Sequence, residues 1–380
     1  MRLLRSERFP AVVLLIAAAL GLVLANSPLA GGVAAVKDAY VGIPGVFTLS
    51  VGHWIQDGLL AIFFFVAAIE LWHELTAGQL SSPRRAVQPA IAAAGGVLVP
   101  IAIFLAFSLG TSSAPGWPIP TATDIAFALG VLAVFGRGLP TGVRAFLLAL
   151  AILDDIVGIV FIAVLFTDGV DVFLLLAALV GVALFALLSR RLTDRNRVPL
   201  GIVLVLLGIL VWVLVYLSGV HATIAGVALG LAMAPRPAAR VRHALDPWVN
   251  GVVLPLFALS AASVAIPSVG LDELQPVFWG VLIALPVGKI LGITAFGWLA
   301  QRLEEPDGRL RFADLLAAGA LGGIGFTVSL LLSELAFAGD GLLRDEATLG
   351  VLGGSLVSLV VAVVLVAWRA RHYRREERRV

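Results

Sequence analysis

The chain has 380 residues, 60% hydrophobic and only 13% charged, with 26 basic and 24 acidic side chains and no cysteine. A soluble globular protein carries roughly 25% charged residues, so this composition excludes a cytosolic enzyme, a disordered chain and a nucleic-acid partner. The lack of cysteine excludes disulfide, thiolate–zinc and iron–sulfur chemistry, and the net charge of +2 means little until the charges are placed along the chain.

A helix crosses the hydrocarbon core with about 20 mainly apolar residues. The first span is expected at 11–25, behind Arg2, Arg5 and Arg8. This stretch has the pattern of a signal peptide, but an uncleaved first helix needs the same pattern, and further spans follow. These are predicted at 58–71, 88–107, 121–135, 144–166, 172–188, 200–217, 220–233, 247–266, 278–298, 312–337 and 348–368. The apolar runs are continuous rather than alternating, which excludes barrel strands. The fold class is therefore an all-α polytopic membrane protein with twelve transmembrane helices. No polar linker divides it, so residues 1–380 read as a single membrane domain.

Basic residues set orientation, because cytoplasmic loops accumulate them. With a cytoplasmic N-terminus, all but three of the 26 basic residues fall in cytoplasmic segments, including Arg84, Arg85, Arg137, Arg144, Arg190, Arg191, Arg242, Arg302, Arg309, Arg311 and the arginine-rich tail. Lys37 and Arg344 fall outside, Lys289 lies within a span, and the outer loops carry Asp168, Asp171, Asp272, Glu273, Asp340 and Asp345. Both termini are expected on the cytoplasmic side.

Few charges then remain in the membrane. Asp154 and Asp155 follow Arg144 by about 15 Å of helix rise, at the bilayer midplane. Lys289 lies at similar depth in FWGVLIALPVGKILGITAFGWL. Each such residue costs about 2.5–3.5 kcal/mol on insertion scales. A buried Asp–Lys pair that only fixes packing would account for one aspartate and leave the second unexplained. A cluster of two carboxylates and an ammonium titrates as one coupled system, and carboxylate oxygens also suit a hard cation such as sodium. The same oxygens hold a proton or a metal ion, not both. Such competition suffices for exchange when the site opens alternately to each side.

Two spans are interrupted. In PIPTATDIAFALG, Pro118 and Pro120 remove backbone donors just before Thr121, Thr123 and Asp124. In AGALGGIGFTVSLLL, Gly319, Gly322, Gly323 and Gly325 crowd one turn before Thr327 and Ser329. Taken alone, Asp124 also fits the lesser reading of an N-cap at the membrane edge. Broken helices in matching positions of two halves, however, point to a transporter site. Here they are the fourth and eleventh spans. The triplets three–four–five and ten–eleven–twelve start on opposite sides of the membrane, giving an inverted repeat by topology. The core helices are then about 88–166 and 278–368.

TATDIAFALGVLA, FLLALAILDDIVGIVFIA, GVHATIAGVALG, LPLFAL, GKILGI and GGIGFTVSLL occur in this order, and together the chain resembles the NhaA family of bacterial sodium/proton antiporters from about Asp57 to the last span. The resemblance implies electrogenic exchange of cytoplasmic sodium or lithium for protons across the plasma membrane. It assigns Asp155 as principal ion ligand and Asp154 as its partner, exchanging a proton or a salt bridge with Lys289. Thr123 would offer an oxygen to sodium, and Asp124 and Lys289 would offset the partial charges of crossed half-helix ends. Gly325, Thr327 and Ser329 mark the second break on the ion path. No cofactor is implied beyond the transported ions. Many members are homodimers, and residues 41–54, with Pro44 and Gly45 at the turn, occupy the place of the joining β-hairpin; the helices outside the core would form the interface part.

One departure concerns the cytoplasmic funnel and pH response. The family's NDG and GLE-x-K-R-E segments read Gln56-Asp57-Gly58 and Ala68-Ile69-Glu70-Leu71-Trp72-His73-Glu74 here, and Arg242-His243 stands where the family often has an acid at the first position. The expected consequence is a shifted pH activation. A sodium-coupled symporter of related fold is the nearest alternative, but it needs an organic-substrate pocket. An intramembrane aspartyl protease needs its two aspartates on facing helices, and a retinal pump leaves the aspartate pair unexplained.

Overall fold

The computed structural model describes residues 8–43, 47–78, 81–166, 169–193, 195–266, 273–303 and 310–377. Arg2, Arg5, Pro44, Gly45, Asp168, Asp272, Arg309, Arg378 and Arg379 lie outside the described residues, as do the side chains of Arg8, Arg84, Arg85 and Asp155. The chain opens with α1 (Arg8–Ala25) and a short α2 (Ala30–Asp38), bent 110° from it. α2 has no buried residue and no counterpart among the predicted spans, because its AGGVAAVKD sequence is too short and too weakly apolar to cross.

Strands β1 (Tyr40–Ile43) and β2 (Phe47–Ser50) pair antiparallel, with Tyr40 opposite Ser50 and Ile43 opposite Phe47. Phe47 meets the edges of Trp54, Trp212 and Tyr216 at centroid distances of 6.0, 5.7 and 5.4 Å, an aromatic root that anchors the ribbon. Ser50 then caps α3 (Val51–Thr76) by accepting from the His53 amide at 3.2 Å.

The remaining helices are α4 (Pro83–Ser108), α5 (Ile125–Phe135), α6 (Thr141–Leu165), α7 (Val172–Arg190), α8 (Arg197–Leu217) and α9 (Thr223–Ala232). They are followed by α10 (Pro235–Ala261), α11 (Pro276–Ala300), α12 (Phe312–Gly322), α13 (Phe326–Ala336) and α14 (Gly341–Glu377). Among the described residues, eight helices are long and apolar enough to cross a membrane, or up to ten when each bent pair counts as one span. The fold is thus a mostly helical, multi-span membrane architecture. Several helices overrun their predicted limits. α10 starts at Pro235 rather than near 247: Pro235 and Pro237 fall in its first turn, where a missing N–H leaves no intrahelical bond unmade, and the helix continues through Pro247. α14 likewise extends through its arginine-rich end.

Proline and glycine shape the rest. Pro286 cannot donate a backbone hydrogen bond, and the π turn Ala284–Gly288 falls on it, directly before Lys289. Gly95 on α4 and Gly292 on α11 face each other so closely that a Cβ on either would run into the other's carbonyl oxygen. Small residues permit such backbone approach between membrane helices. A large apolar core joins α1, α3–α6 and α10–α14, and a smaller cluster joins β2, α3 and α7–α9.

Candidate functional site

The two interrupted segments meet at Asp124. The chain reaches it through a single tight turn at Ile119–Thr121 and an extended stretch, and α5 begins at the next residue. The pair α12 and α13 is bent 47° at the Gly323–Gly325 break. Asp124 Oδ1 accepts from the Phe127 amide at 3.1 Å, in the first turn of α5. Its Oδ2 accepts from the Thr327 amide at 3.1 Å and the Thr327 hydroxyl at 2.7 Å, in the first turn of α13. One carboxylate therefore caps two helix N-termini, whose first N–H groups lack intrahelical partners and carry partial positive charge.

The opposite polarity is met in the same place. The Asp124 amide donates to Ile324 O at 2.6 Å, and the Thr123 hydroxyl lies 2.7 Å from Gly322 O, both just at the end of α12. The Ser329 hydroxyl donates back to Ile119 O at 2.8 Å. Gly325 leaves room for this junction, since a Cβ there would press on Ala122 O and the Leu285 side chain. Asp124→Ala is expected to lower stability by about 2–5 kcal/mol, since it strands several buried donors. A melting temperature in detergent equal to the native value would refute the double cap.

Asp154, on α6, is 1% exposed, and Lys289, at the start of the last segment of α11, is fully buried. Lys289 Nζ donates to Asp154 Oδ2 at 2.7 Å and to Thr123 Oγ1 at 3.2 Å. The Thr123 hydroxyl proton serves either Asp154 Oδ2, at 2.6 Å, or Gly322 O. Lys289 thus answers a carboxylate and a hydroxyl, and the carbonyls at the end of α12 are satisfied by Thr123 and Asp124 instead. Asp154 Oδ1 is buried without a hydrogen-bond partner among the described residues. An orphan carboxylate oxygen beside an ammonium is a place where a proton or a cation gains the most. Asp155 follows on the same helix, turned about 100° away in backbone direction.

A narrow cavity of about 170 Å³ is lined by Thr123, Asp124 and Thr327 at one end, and by Glu70, Asp246 and Asn250 near the end of α3. Arg242 stands beside this mouth, its Nη1 3.6 Å from Glu70 and its Nε 3.9 Å from Asp246. The funnel residues expected from the sequence are not all brought together. Glu70 and Arg242 pair, whereas His73 and His243 are exposed and do not line the cavity. Glu74 is half-buried on the same last turn of α3.

Asp57 belongs elsewhere. It precedes Glu70 by thirteen residues of α3, or about 20 Å, and lines a second cavity of about 980 Å³ together with His221, Lys37 and Glu334. There it is buried, 3.6 Å from His221 Nε2, and its carbonyl accepts from Trp212 Nε1 at 3.0 Å. Asp57 and Glu70 thus share one helix but line different cavities. His221 was readable within GVHATIAG, yet only its neighbourhood with Asp57 marks it out.

Over residues 1–366 the sequence matches the family described as Na+/H+ antiporter 1. The chain belongs to this family. Among its relatives, Na+/H+ antiporter NhaA 2 of Clavibacter michiganensis subsp. michiganensis is 54% identical over 98% of this chain and 93% of that protein. The Na+/H+ antiporter NhaA of Tropheryma whipplei is 46% identical over 96% of this chain and 95% of that protein. That of Streptomyces antibioticus is 46% identical over 98% and 79%. This member of the Na+/H+ antiporter family is accordingly a multi-pass membrane protein of bacterial type, a transporter rather than an enzyme.

Proposed function

We infer that the chain exchanges cytoplasmic sodium, and lithium, for protons across the bacterial plasma membrane by alternating access, with Asp154 and Asp155 as the shared site of cation and proton. The observation that carries this reading is the orphan Asp154 Oδ1 at membrane depth, beside Lys289 and next to residues lining a narrow cavity. Family membership supports the ions. A cation reaching Asp154 competes with the Lys289 ammonium for the same carboxylate. The ammonium withdraws or loses its proton as the ion enters, so positive charge is replaced rather than added. Two carboxylates and a lysine offer more proton-carrying positions than cation positions, which favours electrogenic transport. A symporter is not favoured, since the relatives named above are antiporters.

The architecture proposed with this function has twelve spans. The eight long helices are joined by α1, α5, α9 and the bent α12–α13 pair. α5 and α12–α13 are the crossing elements of the inverted repeat, and their shared hydrogen bonds at Asp124 support that reading. Both termini face the cytoplasm, as the arginine distribution argues. The β1–β2 ribbon, whose β1 strand is exposed along its length, is proposed as the contact of a homodimer in the membrane.

Sodium added to energised everted vesicles containing the protein is expected to release the acid interior; no proton movement on sodium addition would refute antiport. The same assay tests the mouth. Arg242→Gln removes the cation that favours the ionised carboxylates of Glu70 and Asp246. The midpoint of pH activation is expected to move to higher pH, and an unmoved profile would show that these charges only solvate the surface.

A further inference from the structure

The sequence places only two basic residues, Lys37 and Arg344, in segments expected on the outer side. The structure brings both to one carboxylate. Glu334 Oε1 lies 3.9 Å from Lys37 Nζ and Glu334 Oε2 lies 3.8 Å from Arg344 Nε. The Glu334 side chain is only 12% exposed, against 33% for each cation. Glu334 and Arg344 stand on the consecutive helices α13 and α14, whereas Lys37 reaches them from α2, about 300 residues earlier in the chain. Lys37 also donates to Ser260 O on α10 at 3.3 Å, and its stem lies against Gly52, where a Cβ would sit 3.0 Å from Lys37 Cγ. Arg344 Nε is shared with Asp345, 3.6 Å away.

The position along α13 gives the cluster its meaning. Thr327 and Val328, at the start of this helix, line the narrow cavity beside Asp124. Glu334 and Leu335 line the larger cavity at the opposite end. Between them Leu330, Leu331 and Leu332 are buried to within 1% of completeness. About 9 Å of one short helix thus separates the residues that line the two cavities, a buried plug of three leucines flanked by Ser329 and Ser333, and Glu334 sits on the far side of that plug.

We propose that Lys37, Glu334 and Arg344 form an outer latch that holds α13 and its leucine plug in the closed position, so that Glu334 is a positioning residue of the transport cycle. This rests on alternating access as read above. Opening to the outside requires the plug to part, and α13 cannot shift against α2 and α14 without breaking both contacts. Individual partly exposed ion pairs are weak. An equilibrium between two access states is nevertheless moved by small differences, because only the difference between the states counts.

The test exploits the absence of native cysteine. Leu331→Cys is introduced alone and together with Glu334→Gln, and right-side-out vesicles are treated with a membrane-impermeant maleimide. Loss of the latch is expected to raise the labelling rate about fivefold. Lys37→Met added to Glu334→Gln should give little further rise, because the pair is already broken, whereas Lys37→Arg should leave labelling at the native rate. A second measurement needs no engineered cysteine: in everted vesicles, Glu334→Gln should raise the apparent KM for sodium while the maximal rate holds, since fewer molecules face inward. Unchanged labelling and unchanged KM in Glu334→Gln, in a protein that still exchanges sodium for protons, would overturn the latch and leave antiport standing. Failure of the native chain to exchange sodium for protons would instead overturn the underlying function.

Discussion

Lys289→Ala is expected to lower stability by about 3–5 kcal/mol, because it leaves the Asp154 carboxylate buried with its cation gone. The pair is fully enclosed, with 2.7 Å between Nζ and Oδ2 and no side-chain exposure on either partner. Alanine also removes one of the largest fully buried side chains, so Lys289→Met separates lost volume from lost charge. Combining Lys289→Met with Asp154→Asn removes both charges and is expected to recover much of the stability, since replacing both partners costs far less than stranding one. Thermal unfolding in detergent reads all three variants. A Lys289→Ala protein melting at the native temperature would show that the pair carries no stability.

Asp155→Asn is expected to reduce sodium/proton exchange to background in everted vesicles while the protein remains folded. The amide neither gains nor loses a proton in the relevant range, and it offers a cation only a neutral oxygen where a carboxylate offers full charge. Its shape is nearly that of aspartate, and its helix, α6, runs unbroken from Thr141 to Leu165. Folding and function should therefore separate: a native melting profile with no exchange. Native exchange rates in this variant would remove Asp155 from the site.

The residues at membrane depth were readable from the sequence because charge is scarce there. Asp124, Asp154 and Lys289 stand out against apolar runs, and the proline and glycine clusters mark where helices break. Thr123 is singled out only by the family resemblance, which makes it an oxygen donor to sodium; the structure puts its hydroxyl 2.6 Å from Asp154. What was not readable depends on which helix lies beside which. That Asp124 serves two helices at once follows from the approach of segments about 200 residues apart, which no local pattern encodes. The convergence of Lys37 and Arg344 on Glu334 is likewise a matter of packing, although their isolation among outer-loop residues was visible. α2 is not legible in the sequence because a short helix on the surface has no periodic apolar face to announce it. That Asp57 lines a different cavity from Glu70 is not legible either, because a motif identifies neighbours along a helix and not the cavity each one faces.

The backbone contact of Gly95 with Gly292 has a mechanical consequence. Where two helices touch through their main chains, no side chain is available to rotate and absorb a displacement. α4 and α11 then behave as one stiff beam. Lys289 lies less than one turn from Gly292, on that beam. Any shift of its backbone along the membrane normal carries α4 with it, so the height from which this single charge is suspended is set by the stiffness of a helix pair, and only the four-carbon side chain moves the ammonium independently.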